Sequence, residues 1–223
     1  MPTMYTIYLA TLMNPLLFDH PCVRRGLSGE AMVLAGYRRL DLGAMGLELT
    51  PIPRSVGELA WADGKYGRWV HLNMTGSHWN GEVHAAIDEG LPFADASFRV
   101  LIVRHVHEWL PETRPLLQEC ERVLESGGQM IIAGFQPYLW PGLCLRRQAH
   151  RCGQKVYLRW AWHTGREMME LGMTNRQSHY VGGGYMLSAR KRYSGGQVIR
   201  LQFKPKMRKR TVPLMPNSNR AAS

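Results

Sequence analysis

Residues 104–108 read Arg-His-Val-His-Glu and leave the end of a short β-branched run. Two imidazoles, a carboxylate and a guanidinium so close together could do acid–base work. Histidine ordinarily titrates near neutrality, so His105 is the candidate base for a hydroxyl or a carbon acid. The plain alternative for His105 and His107 is a loop with local hydrogen bonds. A second set, Cys144, His150 and Cys152, holds metal-ligand residue types. Its spacing matches no usual zinc pattern and no fourth ligand is evident, so packing is the reading. The four cysteines, Cys22, Cys120, Cys144 and Cys152, form no Cys-x-x-Cys pair. They are read as reduced thiols, which places the chain in the cytoplasm.

The elements around 104–108 are the clearest in the chain. The run 98–103 is bounded by a turn-like Ala94-Asp95-Ala96-Ser97 and reads as a strand buried on both faces. Leu116, Leu117, Cys120, Val123 and Leu124 then lie on one stripe of a helix over 115–124. Ser126-Gly127-Gly128 is expected to stop that helix, and 129–134 reads as a second buried strand. Strand, helix and strand with short links predict a parallel pair with a right-handed crossover.

The flanks are less regular. Residues 22–40 read as helical in part, and 38–42 (R-R-L-D-L) as a strand running into Gly43-Ala44-Met45-Gly46. Pro51 and Pro53 exclude a regular helix before Val56. Strands are expected at 69–74 and 82–87, joined most simply as a hairpin. A helix is expected near Leu143 and another over 164–171, closed by Gly172. Beyond 174 the chain is β-rich. Either 176–181 pairs with 185–191, or 185–193 pairs with 197–203.

The composition, 45% hydrophobic and 20% charged over 223 residues, is that of one globular α/β domain. No apolar run reaches the roughly 18–20 residues of a membrane helix. The apolar stretch 4–18 is broken by Asn14-Pro15 and has no basic residues before it, so a secretory signal is not expected. The net charge of +11 is unevenly placed. Residues 1–170 hold all 17 acidic residues and 17 of the 28 basic ones, and 171–223 hold the other 11 basic residues. The division expected is a domain over 1–203 and a basic, flexible tail over 204–223. The tail suggests nonspecific contact with polyanions rather than sequence-specific recognition, because it lacks a dense aromatic platform.

The stretch 90–135 contains L-P-F-A-D-A-S-F, a hydrophobic strand, R-H-V-H-E-W-L-P, a helix ending E-R-V-L-E-S-G-G, and a strand ending in G-F. It resembles the class I S-adenosylmethionine-dependent methyltransferases, and most closely the type-11 methyltransferase domain. The segment G-F-Q-P-Y-L-W-P-G-L-C-L-R-R and the ending R-K-R-T-V-P-L are similar to a subgroup of small bacterial proteins with an aromatic G-F-N-P segment. The resemblance implies a Rossmann-like, mainly parallel sheet with antiparallel C-terminal strands, here with an abbreviated first half. It implies S-adenosyl-L-methionine as cofactor and methyl transfer to an unidentified acceptor. The family's glycine loop would fall on Asp41, Gly43, Ala44 and Gly46, with Met45 and Leu47 at two glycine positions. Its ribose-binding acid would be Asn73, and its adenine-binding acid Asp88 with Glu89 beside it, because Ile87 holds the matching position. His105 would border the methionine end of the cofactor. The altered loop, Asn73 and Ile87 favour a second reading, a weakly active or inactive relative serving as a binding or regulatory module. The basic tail favours a third, an RNA-directed methyltransferase.

Overall fold

The computed structural model describes residues 17–37, 43–52 and 67–193. The first helix, α1 (Pro21–Tyr37), starts where proline's fixed φ suits a helix and its missing amide costs no hydrogen bond. The amides of Val23 and Arg24 both bond the carbonyl of His20. Strands β1 (Met45–Thr50), β2 (Arg68–Thr75), β3 (His78–Gly81) and β4 (Ala85–Ala86) follow, and a 3₁₀ turn over Ile87–Glu89. Next come β5 (Phe98–Arg104), α2 (Arg114–Val123), β6 (Leu124–Phe135), α3 (Trp140–Arg151), α4 (Ala161–Glu170), β7 (Thr174–Val181) and β8 (Gly184–Arg190).

All eight strands join one sheet in the order β4-β3-β2-β1-β5-β6-β8-β7. The four central strands, β2, β1, β5 and β6, are mutually parallel. β8 runs antiparallel to both β6 and β7, so β7 points the same way as the centre. The two-faced burial expected of β5 is present. Leu101 and Val103 enter one apolar cluster with Leu47, Leu49, Leu72 and Ile132, while Val100 and Ile102 enter another with Leu34, Ile131 and Met186. A strand that fills both faces has no polar side to turn outward, which is why its sequence runs apolar without alternation.

Three expectations change. Met45 and Gly46 are not a turn after the first strand; they begin it, paired with Arg68 and Trp69. The expected strand 38–42 lies outside the described residues. Gly127 and Gly128 do not close α2, because Leu124 already leaves it in extended conformation. They lie inside β6, where its register with β5 shifts and where Gly127 and Gly128 bond Lys191. Finally, β2 pairs not with 82–87 but with His78–Gly81, and only Ala85 and Ala86 of the later stretch form a strand. β2, β3 and β4 thus form a tight meander, while residues 53–66, which join the parallel β1 and β2, lie outside the described residues. At the other end, Thr174–Val181 pairs with Gly184–Arg190 around Gly182 and Gly183, both at positive φ. The tail over 204–223 lies outside the described residues, and no helix among those described is long and apolar enough to cross a membrane.

Candidate active site at the carboxyl edge of the sheet

Parallel strands aim their carboxyl ends at one edge, and in open α/β sheets that edge takes the ligand. Here it carries Thr50 and Ile52 after β1, Asn73 near the end of β2, Asp88 and Glu89 after β4, and His105 after β5. The register puts β4 there too: Thr75 pairs with His78 and His78 with Ala86, so the turn at Ile87 starts on the side where β2 finishes. Asn73, Asp88, Glu89 and His105 therefore share one edge. Gly43 and Ala44 precede β1 and Gly46 is its second residue, so all three lie at the opposite, amino-terminal edge. This corrects their expected placement in a ligand loop. The carboxyl end of β1 instead runs Thr50-Pro51-Ile52, without glycine. Asp41 lies outside the described residues.

Asn73 is bound into its surroundings. Its Nδ2 donates to the carbonyl of Ile52 at 2.9 Å, and its Oδ1 accepts from Thr75 Oγ1 at 3.4 Å. The Ile52 amide in turn donates to Thr50 Oγ1 at 3.1 Å. Asn73 thereby ties the end of β2 to the segment leaving β1. Its amide retains one further N–H and one oxygen lone pair, enough to bond a ribose hydroxyl. Asp88 and Glu89 are exposed. The carboxyl-edge residues thus suit a nucleoside by position and donor type, whereas the glycine positions do not.

The end of β5 holds a buried polar network. Arg104 Nε donates to Glu30 Oε1 at 2.6 Å, and His105 Nε2 meets Glu30 Oε2 at 2.7 Å. His105 Nδ1 meets Glu108 Oε2 at 3.2 Å, and the other Glu108 oxygen accepts from the Phe135 amide. Arg104, His105 and Glu108 are at most 3% exposed and Glu30 is 5% exposed, so water does not screen these pairs. Burial alone would lower the pKa of His105, but Glu30 and then Glu108, through charge and hydrogen bonds, raise it to about 9. Burial would raise Glu30, yet Arg104 and His105 hold it at about 2. His105 is therefore an imidazolium whose two N–H groups both donate to carboxylates. That arrangement leaves no lone pair to take a substrate proton and corrects the reading of His105 as a base.

His107 behaves oppositely. Burial, with the positive charges of His105 and Arg159 nearby, lowers its pKa to about 3. Its Nε2 lies 2.8 Å from Tyr185 Oη, which lies 3.1 Å from Thr164 Oγ1. The ring fits because Gly134 has no side chain: a Cβ there would meet His107 Cε1 at 2.6 Å.

Glu30, Thr164 and Tyr185 were not singled out from the sequence. An acid on the buried face of a helix, in line with Val23, Leu27 and Leu34, is a usable signal, but its partner lies 75 residues away, too far for any local motif. Beyond the network, the segment after β6 and the start of α4 display exposed aromatics. Tyr138, Trp140, Trp160 and Trp162 are 43–70% exposed, and the rings of Tyr138 and Trp160 lie 5.5 Å apart.

Residues 36–132 match the family model described as "Methyltransferase domain". Over 53 residues the chain is 42% identical to the uncharacterized protein YafS of Escherichia coli, a match covering 24% of this chain and 22% of that protein. Among solved structures, a SAM-dependent methyltransferase from Aquifex aeolicus aligns with a TM-score of 0.57 and 12% identity, over 80% of this chain and 98% of the other. Phosphoethanolamine N-methyltransferase 2 of Haemonchus contortus, bound to S-adenosyl-L-methionine, aligns with a TM-score of 0.55 and 9% identity, over 73% of this chain and 52% of the other. The matched region runs from the end of α1 into β6 and so contains β1, β2 and β5 and most of β6, the parallel strands at the centre of the sheet. Residues 36–132 are thus similar to a methyltransferase domain, and the chain has the fold of these solved S-adenosylmethionine-dependent methyltransferases.

Proposed function

We propose that the protein transfers a methyl group from S-adenosylmethionine to an acceptor bound beside the aromatic residues that follow β6. The observation that carries this reading is the match of a methyltransferase domain to the segment that builds the carboxyl edge. The cofactor supplies an electrophilic methyl group on a positively charged sulfur. Asn73 would bond the ribose, and the acidic turn at Asp88 and Glu89 would face the base. Methyl transfer to an already nucleophilic atom needs in-line positioning and little proton transfer. That suits a site whose central histidine is committed to two carboxylates. Tyr138 and Trp160, paired at 5.5 Å, offer flat apolar faces against which an acceptor could be oriented.

A second reading, a binding or regulatory module without turnover, is favoured by the placement of Gly43 and Gly46 away from the ligand edge. Isothermal titration with S-adenosylmethionine and S-adenosylhomocysteine tests the first step of the enzyme reading. It expects saturable binding of both at one site per chain. Absence of heat with either ligand at millimolar concentration would reject the enzyme in favour of the module.

A further inference from the structure

Away from the carboxyl-edge network, the start of α1 meets the start of α3. His20 sits just before α1, Cys22 is the second residue of that helix, and Cys144 is the fifth residue of α3. One ligand atom from each lies within 4.8 Å of the others. Both cysteines are free thiols. Spacing along the sequence groups Cys144 with His150 and Cys152 instead. Those two stand near the far end of α3, while Cys22 comes from more than a hundred residues upstream.

We propose that His20, Cys22 and Cys144 form a binding site for a thiophilic metal ion, with zinc the expected occupant. Two thiolates and an imidazole are a soft, borderline donor set, and two thiolates neutralise a divalent charge. Tetrahedral zinc, with bonds of about 2.3 Å to sulfur and about 2.0 Å to nitrogen, separates its ligand atoms by roughly 3.3–3.8 Å. The three atoms, within 4.8 Å of one another, would have to close by about 1 Å to reach that spacing. The surroundings fit a metal thiolate as well. Trp140 Nε1 donates to Cys22 Sγ at 2.9 Å, and such N–H groups orient and stabilise metal-bound sulfur. The Cys22 amide donates to His20 Nδ1 at 3.3 Å, a long bond that the nitrogen can exchange for a metal. Water or an added ligand would complete the fourth position. A bound ion would staple α1 to α3 and so fix the helix that carries Glu30 into the buried network.

Cobalt(II) is the probe, because thiolate ligation gives it an intense charge-transfer band. The reduced, full-length protein is titrated with cobalt, and the band is expected to rise to one equivalent and to disappear on adding one equivalent of zinc. Cys22→Ser and Cys144→Ser should each abolish it, and His20→Ala should weaken cobalt binding at least tenfold. Cys152→Ser, at the exposed end of α3, should leave it unchanged. No band, or a band that survives both Cys22→Ser and Cys144→Ser, overturns the site. A second readout avoids variants that fail to fold. Zinc should slow alkylation of Cys22 and Cys144 in the unaltered protein at least tenfold and leave Cys152 as reactive as before. Equal labelling with and without zinc rejects the proposal. Neither readout depends on cofactor binding or turnover, so its failure and that of the methyltransferase reading remain separate.

Discussion

The imidazole of His105 and the carboxylate of Glu30 lie 2.7 Å apart, joined across 75 residues of sequence and buried with Arg104 on the same acid. The pair locks α1 to the end of β5. Two acidic and two basic side chains share the network: Glu30 and Glu108 against Arg104 and His105. Removing one partner of a buried ion pair strands the others, which is more costly than never having built the pair.

Glu30→Gln keeps the shape of the side chain and removes its charge. Arg104 would then lose its carboxylate partner, and His105 would keep only Glu108. The variant is expected to lose about 3–5 kcal/mol of stability, read as a shift in urea midpoint at unchanged slope. A midpoint within experimental error of the unaltered protein would mean that the network does not hold α1.

The two histidines also set a stability maximum. The pKa of His105 rises from 6.5 to about 9 on folding, so its contribution is full below 6.5 and is lost as pH rises through 9. The pKa of His107 falls from 6.5 to about 3, so its contribution is full above 6.5 and is lost as pH falls through 3. Glu30, lowered from 4.5 to about 2, adds a further loss on the acid side below 4.5. Urea midpoints measured across pH should therefore peak near 6.5. In Glu30→Gln the alkaline decline should flatten, because Glu30 is the foremost group holding His105 protonated. A midpoint that climbs steadily from neutral to alkaline pH would contradict the assignment of His105, and one that does not fall between pH 6.5 and 3 would contradict that of His107.

The uneven legibility of the sequence has physical causes. The β5–α2–β6 unit was readable because it is local: a doubly buried strand, a one-stripe helix and a short return all carry their pattern within about forty residues. The start of β1 escapes the sequence reading because Met45 and Gly46 follow Gly43 and Ala44 and so look like the end of a turn, whereas Met45–Thr50 is the run whose residues fill the core. Gly127 and Gly128 were misread because glycine serves a bulge as well as a helix end, and only the pairing with Lys191 decides between them. At the candidate site, Asn73 and His105 could be placed by strand ends. The roles of Glu30, Tyr185 and Thr164 could not, since each acts on a residue from a distant segment.

Tyr185 tests the neutral half of the network. Its hydroxyl bridges His107 Nε2 and Thr164 Oγ1, and His107 Nδ1 has no hydrogen-bond partner among the described residues. Tyr185→Phe keeps the ring packing and leaves the imidazole without a polar contact at either nitrogen. The expected loss is about 1–3 kcal/mol. Tyr180→Phe, on the exposed edge strand β7, should cost under about 0.5 kcal/mol. Equal midpoints for the two variants would remove the bridge from the account.

Two substitutions at opposite edges of the sheet test where the proposed S-adenosylmethionine site lies. Asn73→Ala deletes the bond to the Ile52 carbonyl and the amide proposed to hold the ribose. It should weaken S-adenosylmethionine binding about tenfold, equivalent to about 1.4 kcal/mol. Gly43→Ala places a methyl group in open space at a φ of +85°, so only the backbone is strained. The cost to folding should be about 1–2 kcal/mol, with the titration curve unchanged. If Gly43→Ala weakens cofactor binding and Asn73→Ala does not, the ligand belongs to the amino-terminal edge. Parallel strands place their ligands at the other end, so that result would separate this chain from the fold's usual geometry.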